Sequence, residues 1–306
     1  MDEHIPVLVE EVLKGLAPGA DGLYIDATFG RGGHTARILE TLGREGRVLA
    51  LDRDPAAVAA GRARFASEVR LALVHAPFAD LRQVVHEYAG GRPVAGVLFD
   101  LGVSSPQLDE ADRGFSFSKD GPLDMRMDPT RGEPVAAWLA RASVGEMREV
   151  IATLGEERFA RRVAESIAAS RARAPIERTA QLAAIVAGAV RTRDGKHPAT
   201  RTFQALRMHA NDELGQLARG LAGAVDVLAP RGRLAVIAFH SLEDRLTKEF
   251  LRRESSPDPA LARLPVLPPH AAPRLRLVGK HRAGEAEVAA NPRSRSAVLR
   301  IAERVA

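Results

Sequence analysis

The stretch Leu23-Tyr-Ile-Asp-Ala-Thr-Phe-Gly-Arg-Gly-Gly-His34 decides the fold of this chain. It opens with a short apolar run, turns through three glycines and leads into a helical pattern over 35–42. A continuous apolar strand that is followed by a glycine-rich turn and a helix is typical of a parallel sheet that helices cover on both faces. The stretch therefore predicts that such a sheet begins at Leu23.

The same pattern repeats along the chain. Helical segments separate further apolar runs, at 48–51, 69–74, 94–99, 234–239, 275–278 and 297–301. Between the runs at 48–51 and 69–74, Asp54-Pro55 has the capping residue and the first-turn proline of a helix start. We therefore predict an α/β fold with a doubly wound, mostly parallel, Rossmann-like sheet.

A long segment interrupts the strands. Residues 104–130 have no periodicity and are rich in Gly, Pro, Asp and Ser, whereas 131–200 contain only helical patterns. Apolar residues then follow helical spacing from about Thr202 to Leu228, which predicts one long helix. We predict three parts: 1–107 as the first part of the sheet domain, 108–205 as an all-helical insertion, and 206–306 as the second part of the sheet domain.

Composition excludes several classes of protein. Of the 306 residues, 45% are hydrophobic and 27% are charged, as in ordinary globular chains, and none is cysteine, which excludes disulfides and thiolate chemistry. No apolar run is long enough to cross a bilayer, and the acidic N-terminus is unlike a signal peptide, so we expect no membrane partner and a cytoplasmic location. No cluster of His, Asp and Glu has metal-ligand spacing, so no metal site is predicted. The net charge of +5 fits either an RNA partner or a base bias of the genome.

Several candidate ligand residues lie at the carboxyl ends of the predicted strands. The glycine turn is not a phosphate loop, and Thr35 occupies the third glycine position of the dinucleotide fingerprint, so the turn alone is also compatible with a ligand-free turn. Asp52 lies 20 residues beyond Gly32, at the spacing of an acid that binds ribose hydroxyls. It is also compatible with a helix N-cap or a surface carboxylate, although Asp54 is better placed for capping. Phe78 either walls an adenine or belongs to the core, and Asp100 ends the fourth strand. Because these strand ends meet at one edge of a sheet, they predict a nucleoside-containing cofactor.

Longer motifs resemble one family. The chain is similar to bacterial 16S rRNA cytosine-N4 methyltransferases in the runs His4-Ile-Pro-Val7, Asp26 to His34, Asp100-Leu-Gly-Val-Ser-Ser-Pro-Gln107, Arg113-Gly-Phe-Ser-Phe117, Leu123-Asp-Met-Arg-Met127, Thr202 to Arg207 with Asn211-Asp-Glu-Leu214, Phe239-His-Ser-Leu-Glu-Asp244 and Asn291-Pro-Arg-Ser-Arg-Ser296. These runs extend from residue 4 almost to the C-terminus.

The resemblance implies a class I methyltransferase that uses S-adenosylmethionine and carries an inserted helical domain. It implies that the methyl group goes to the exocyclic N4 of one cytidine, number 1402 in the usual rRNA numbering, in the decoding region of 16S rRNA within the small ribosomal subunit. The family's cofactor contacts correspond to Gly32, Gly33, His34, Asp52, Phe78, Asp100 and Gln107.

The implied chemistry suggests further site residues. The lone pair of the cytosine amine is delocalised into the ring, so acceptors that bind the amine protons would assist transfer. Asp100 is the candidate catalytic acceptor, with the hydroxyls of Ser104 and Ser105 beside it. The Asp/Asn/Ser-Pro-Pro-aromatic motif of many amino-methyltransferases is absent, so Phe115 and Phe117 are candidates for stacking on the base, or alternatively anchors of their loop.

Basic side chains are candidates for binding RNA. Lys196 and Arg201 lie in or near a basic loop, and Arg158-Phe-Ala-Arg161-Arg162 adds positive charge to the predicted helices. The sequence leaves two rival functions: a nicotinamide-dependent oxidoreductase, and a non-catalytic RNA-binding assembly factor that retains a nucleoside pocket. It also leaves open whether the protein is a monomer or a homodimer.

Overall fold

The computed structural model of the chain describes residues 6–190, 195, 197–257, 260–261, 268 and 271–305. Contacts between Cα atoms divide the chain into two compact units. One comprises the described residues of Met1–Gly102 and Leu214–Ala306, and the other comprises those of Val103–Glu213. We describe each unit by itself.

The first unit contains a seven-stranded sheet in the order β3-β2-β1-β4-β5-β7-β6. The strands are β1 (Leu23–Asp26), β2 (Arg47–Asp52), β3 (Leu71–His75), β4 (Val94–Asp100), β5 (Leu228–Ala238), β6 (Leu275–Arg282) and β7 (Val298–Arg304). Strands β1 to β5 are parallel to one another, and β7 is antiparallel to both β5 and β6. The predicted α/β fold with a mostly parallel sheet is confirmed.

Helices cover both faces of this sheet. They are α1 (Val9–Leu16), α2 (Gly33–Thr41), α3 (Pro55–Arg64), α4 (Leu81–Tyr88), α11 (Glu213–Val227), α12 (Ser241–Glu254) and α13 (Glu285–Ala290). Adjacent strand residues face opposite clusters: in β1, Ile25 packs with side chains of α4, α11 and α12, whereas Tyr24 packs with those of α1 and α2. Both faces are buried at the central strands β1, β2 and β4, whose inner residues are mostly apolar, and each fully buried Leu or Ile contributes about 1.5–3 kcal/mol.

The second unit is helical and has its own core. Its helices are α5 (Ser105–Asp109), α6 (Val135–Arg141), α7 (Val144–Gly155), α8 (Ala160–Arg171), α9 (Thr179–Ala189) and α10 (Thr200–Ala210). The core includes Trp138, Ile151, Val163, Leu182 and Phe203. This unit begins before and ends after the predicted insertion of 108–205, because α5 and the residues that follow α10 pack with it.

The single long helix predicted from Thr202 to Leu228 is wrong. The chain breaks between α10 and α11 at Asn211 and Asp212, where Asp212 has a φ of 47°. Asn211 is buried, and its carboxamide donates to the carbonyl oxygens of Met125 and Arg207 and accepts from the N–H of Met127, each at 2.8 Å. These bonds tie the aperiodic segment 104–130 to the helices of its own unit. No described helix in either unit has the length and apolar character needed to span a membrane.

Candidate active site

Three aspartates end neighbouring strands at the carboxyl edge of the sheet: Asp26 on β1, Asp52 on β2 and Asp100 on β4. The turn after β1 crosses the adjacent strand ends, because the N–H of Ala27 donates to Leu98 O on β4 and the N–H of Phe29 donates to Leu51 O on β2. The strand order therefore brings three carboxylates around one glycine-rich turn.

The glycines of this turn have different physical roles. Gly30 and Gly32 have φ angles of +54° and +73°, which favour glycine. A Cβ on Gly32 would lie 2.6–2.8 Å from the rings of Phe29 and Phe65, and one on Gly33 would lie 2.7 Å from Pro6. A Cβ on Gly30 would meet nothing closer than 3.9 Å. Packing thus requires Gly32 and Gly33, whereas open space lies beside Gly30.

The turn leads into α2, which begins at Gly33. The first N–H groups of a helix have no acceptor within the helix, so the backbone of Gly33, His34 and Thr35 offers donors at this edge of the sheet. The predicted roles of Gly32, Gly33 and His34 in cofactor binding stay predictions.

Asp52 is held by two backbone donors. Its Oδ2 accepts from Gly30 N at 2.7 Å, and its Oδ1 accepts from Asp54 N at 2.8 Å. The helix cap is Asp54, whose Oδ1 accepts from Ala56 N at 3.0 Å. Burial raises the pKa of Asp52 to about 6, although both N–H bonds oppose the rise. Since Asp54 caps α3, the carboxylate of Asp52 keeps lone pairs that can accept from ribose hydroxyls.

Asp26 and two threonines form a framework that the sequence analysis did not assign to the site. Asp26 is buried, its Oδ2 accepts from the Thr35 hydroxyl at 2.7 Å, and its Oδ1 accepts from Thr28 N at 3.2 Å. The hydroxyl oxygen of Thr28 accepts from Asp100 N at 2.6 Å. Burial raises the pKa of Asp26 above its ordinary value despite the Thr35 hydroxyl. Its place at a strand end, like that of Asp52 and Asp100, is the signal that could have identified it.

His34 and Asp100 form a pair within this framework. Nε2 of His34 lies 3.5 Å from Oδ2 of Asp100, and the His34 side chain is 6% exposed. Burial alone would lower the pKa of His34, but the carboxylates of Asp100, Asp26 and Glu287 together raise that pKa above its ordinary value. Within the described part of the chain, Nε2 of His34 and Oδ1 of Asp100 are buried and have no hydrogen-bond partner. Two polar atoms at the strand ends are therefore left for a ligand to satisfy.

Phe78 follows β3 in a short turn of 3-10 helix, Phe78–Asp80. Its ring is half-buried and meets Phe99 edge to face, with centroids 5.5 Å apart. The ring therefore belongs in part to the core and in part to the surface, as an adenine wall requires.

The remaining predicted site residues belong to the helical unit. Gln107 is buried, and its Oε1 accepts from Ser104 N at 3.0 Å. This hydrogen bond caps α5, of which Ser105 is the first residue. Arg201 lies 4.0 Å from the buried Glu157. Lys196 lies outside the described residues. The roles predicted for Gln107, Ser104, Ser105, Arg201 and Lys196 stay predictions.

Phe115 and Phe117 contact protein groups of their own unit. Phe115 is 6% exposed, with the Arg113 guanidinium 5.8 Å from its ring centre. Phe117 stacks on His197 at 4.5 Å and meets Phe203 edge to face at 5.3 Å. These contacts favour the anchoring alternative, and stacking of either ring on a base stays a prediction.

Comparison with known proteins identifies the family. A model of the MraW methylase family matches residues 1–305. The chain belongs to this family. It is 58% identical over 308 residues to the ribosomal RNA small subunit methyltransferase H of Azoarcus sp. (strain BH72). That alignment covers 99% of this chain and 97% of the relative.

Two further proteins are similar to this chain. The protein of the same name from Dechloromonas aromatica (strain RCB) is 53% identical over 308 residues, covering 99% of this chain and 98% of the relative. Among solved structures, an rRNA methylase from Streptococcus thermophilus is similar with a TM-score of 0.45 and 11% identity, over 99% of this chain and all of the other.

Membership in a methylase family confirms the predicted cofactor, S-adenosylmethionine. The residues present fit it. The cofactor joins a nucleoside to an amino acid through a positively charged sulfur, and the strand ends supply acceptors for hydroxyls, backbone donors for a carboxylate and negative charge for the sulfonium. The unpartnered Oδ1 of Asp100 is a further acceptor at the same edge of the sheet.

Proposed function

We propose that this methyltransferase moves the methyl group of S-adenosylmethionine to the exocyclic N4 of a cytidine in the decoding region of 16S rRNA, with the small ribosomal subunit as its partner. The relatives from Azoarcus and Dechloromonas carry names that specify ribosomal RNA of the small subunit, which supports the class of substrate. The choice of atom rests on the chemistry of the site.

The absence of cysteine supports a heteroatom as the acceptor. Methylation at carbon 5 of a pyrimidine needs a thiolate that adds to the ring, and the chain has no cysteine. An exocyclic amine needs no covalent adduct; it must be held in line with the methyl group while its protons are bound by acceptors. The side chains of this protein can therefore support transfer to a nitrogen such as N4, whereas they cannot form the adduct that carbon 5 requires.

The single observation that carries the proposal is the set of contacts that the two oxygens of the Asp100 carboxylate make. One oxygen, Oδ2, lies beside Nε2 of His34, and the other, Oδ1, is buried without a hydrogen-bond partner among the described residues. A fixed carboxylate oxygen of this kind can accept an amine proton and localise the nitrogen lone pair for attack. His34 and the Thr28 hydroxyl, which accepts from Asp100 N, hold the strand end in place.

We assign the cofactor to the neighbouring groups. Bound there, it supplies an electrophilic methyl group on a sulfonium. Asp52 would accept from the ribose hydroxyls, Phe78 would face the adenine, and the backbone of Gly32, Gly33 and His34 would bind the carboxylate. Gln107, which the family resemblance adds to this set, and the RNA contacts of the helical unit are part of the same proposal.

A nucleoside analysis tests the proposed reaction. Purified protein is incubated with labelled S-adenosylmethionine and with small subunits from cells that lack the modification, and the RNA is digested for mass spectrometry. Label in N4-methylcytidine is the expected result. Label in another nucleoside would refute the acceptor atom, and binding of RNA and cofactor without any transfer would favour an assembly factor.

A variant of Asp100 tests the proposed acceptor. Asp100→Ala is expected to lower the turnover number by about 10²-fold or more, the scale of proton-transfer catalysis, while cofactor affinity is retained. Asp21→Ala, which removes an exposed carboxylate from the same unit, serves as the matched control. Equal losses of turnover and cofactor affinity in Asp100→Ala would assign the residue to cofactor binding alone.

A further inference from the structure

Phe159 is an exposed aromatic residue at the start of α8. The chain has ten phenylalanines, all of them described, and Phe159 is the only one classed as exposed, at 49%. The inner face of α8 packs through Val163 and Ile167, so the core of the unit does not need this ring. Isolated exposed apolar residues are common, and the significance of this ring depends on its neighbours.

Two of the arginines beside Phe159 have no acidic partner among the described residues. Arg158 and Arg162 are exposed, and neither forms an ion pair or hydrogen bond with any residue that the structure describes. Arg162 lies three positions after Phe159, so the two side chains lie on one face of the helix start. Arg161, by contrast, pairs with Glu165 at 2.8 Å one turn further on.

A buried glutamate connects this face to α10. Oε1 of Glu157 accepts from Phe159 N at 2.8 Å, and its Oε2 lies 4.0 Å from the guanidinium of Arg201. Arg201 is 41% exposed. Arg158, Phe159, Arg162 and Arg201 therefore form one surface, which we call the Phe159 patch. It combines one exposed ring with three arginine side chains.

We propose that the Phe159 patch binds an unpaired nucleotide of the RNA substrate, with the base stacked on Phe159 and flanking phosphates bound by Arg158 and Arg162. An aromatic ring among guanidinium groups is the combination that single-stranded nucleic acid requires, since bases stack on the ring and arginine forks bind phosphates. The positive charge complements RNA, whereas a docking protein would need an apolar or acidic surface. This inference rests on the proposed function, because it assumes an RNA substrate.

Two substitutions test the patch. Phe159→Ala is expected to weaken binding of a single-stranded oligoribonucleotide, and of protein-free 16S rRNA, by about tenfold, the scale of one base stacked on an aromatic ring. Arg162→Gln is expected to reduce the slope of log affinity against log salt by about 0.7, as for one lost contact to single-stranded phosphate. Tyr88→Ala, an exposed aromatic of α4, and Arg252→Gln, an exposed arginine of α12, are the matched controls and should leave both quantities unchanged.

The readouts separate this inference from the proposed reaction. Cofactor affinity and the turnover number at saturating subunits should be unchanged in Phe159→Ala, because the patch binds RNA and takes no part in transfer. Loss of oligoribonucleotide binding by this variant would support the patch even if the wild-type protein methylated a different atom. Unchanged affinity in Phe159→Ala, or a loss seen with intact subunits but not with protein-free RNA, would overturn the assignment, the second result by indicating a ribosomal protein as the partner.

Discussion

Nε2 of His34 lies 3.5 Å from Oδ2 of Asp100, and this pair links the glycine turn after β1 to the end of β4. Neither residue is adjacent to the other in sequence, and neither is fully solvated. The charge of the imidazole therefore depends on the carboxylate that we assign to catalysis, and any change in one residue should be detectable in the other.

The first prediction concerns the pH dependence of stability. The pKa of His34 in the folded protein is raised above its ordinary value of 6.5, so its contribution to stability is fully present below about pH 6.5 and is lost as the pH rises through the raised value. His34→Gln removes the charged imidazole that the Asp100 carboxylate attracts, so it should lower the free energy of unfolding at pH 6 by about 1–3 kcal/mol, and by less at pH 9. Urea titrations of both proteins across this range provide the measurement. If the free energy of unfolding of His34→Gln changed with pH in the same way as that of the wild type, the pairing of His34 with Asp100 would be contradicted.

The second prediction concerns cofactor affinity. The pKa of Asp52 is about 6 in the free protein, so the carboxylate is ionised above that pH and accepts strongly from hydroxyls only there. Affinity for S-adenosylhomocysteine should fall as the pH drops through about 6, approaching a tenfold loss per unit at lower pH. Asp52→Ala should bind more weakly and lose this pH dependence, which calorimetry from pH 5 to pH 8 can show. The same slope in the variant would assign the titration to another group.

The third prediction concerns the framework behind the site. Thr35→Val removes the hydroxyl that donates to the buried carboxylate of Asp26, and should lower the free energy of unfolding by about 1–3 kcal/mol. Thr41→Val is the control on the same helix, because its hydroxyl donates to Ile38 O at an exposed position and should matter by less than about 0.5 kcal/mol. Equal effects in urea titration would show that Asp26 does not depend on Thr35.

The fourth prediction concerns the helical unit. Asn211→Ala leaves the N–H of Met127 and the carbonyl of Met125 without their partner, so it should lower the free energy of unfolding by about 2–4 kcal/mol and speed amide exchange at Met127. Gln204→Ala is the control, because it removes a hydrogen bond that a side-chain amide of α10 donates to Leu154 O. Unchanged exchange at Met127 in Asn211→Ala would exclude the proposed tether.

Features with local causes could be predicted from the sequence. Apolar runs identified the strands, and Asp54-Pro55 identified the start of α3. Both features depend on residues that are close in sequence, since a buried strand is an unbroken apolar run and a helix cap involves only the next few residues. Asp52 and Asp100 could be placed at one edge because parallel strands end together. The family resemblance added His34 and Gln107, which periodicity alone would not have selected.

Features with distant causes could not be predicted in this way. The break after α10 depends on bonds from Asn211 to Met125 and Met127, more than 80 residues earlier. A side chain at position 32 would collide with the ring of Phe65, which is distant in sequence, as well as with the nearby ring of Phe29. The pairing of His34 with Asp100 required the strand order, which the pattern of apolar runs does not contain.

The position of the helical unit in the chain has a consequence for biosynthesis. β4 and β5 are paired neighbours in the sheet, yet about 130 residues separate the end of one from the start of the other. At a translation rate of about 5–20 residues per second, the nascent β4 waits roughly 6–25 seconds for its partner strand, with one edge unpaired. An unpaired apolar edge invites aggregation, and the intervening helices, which bury a core of their own, can fold during that interval. A chaperone that binds nascent chains would meet this protein at the exposed edge of β4.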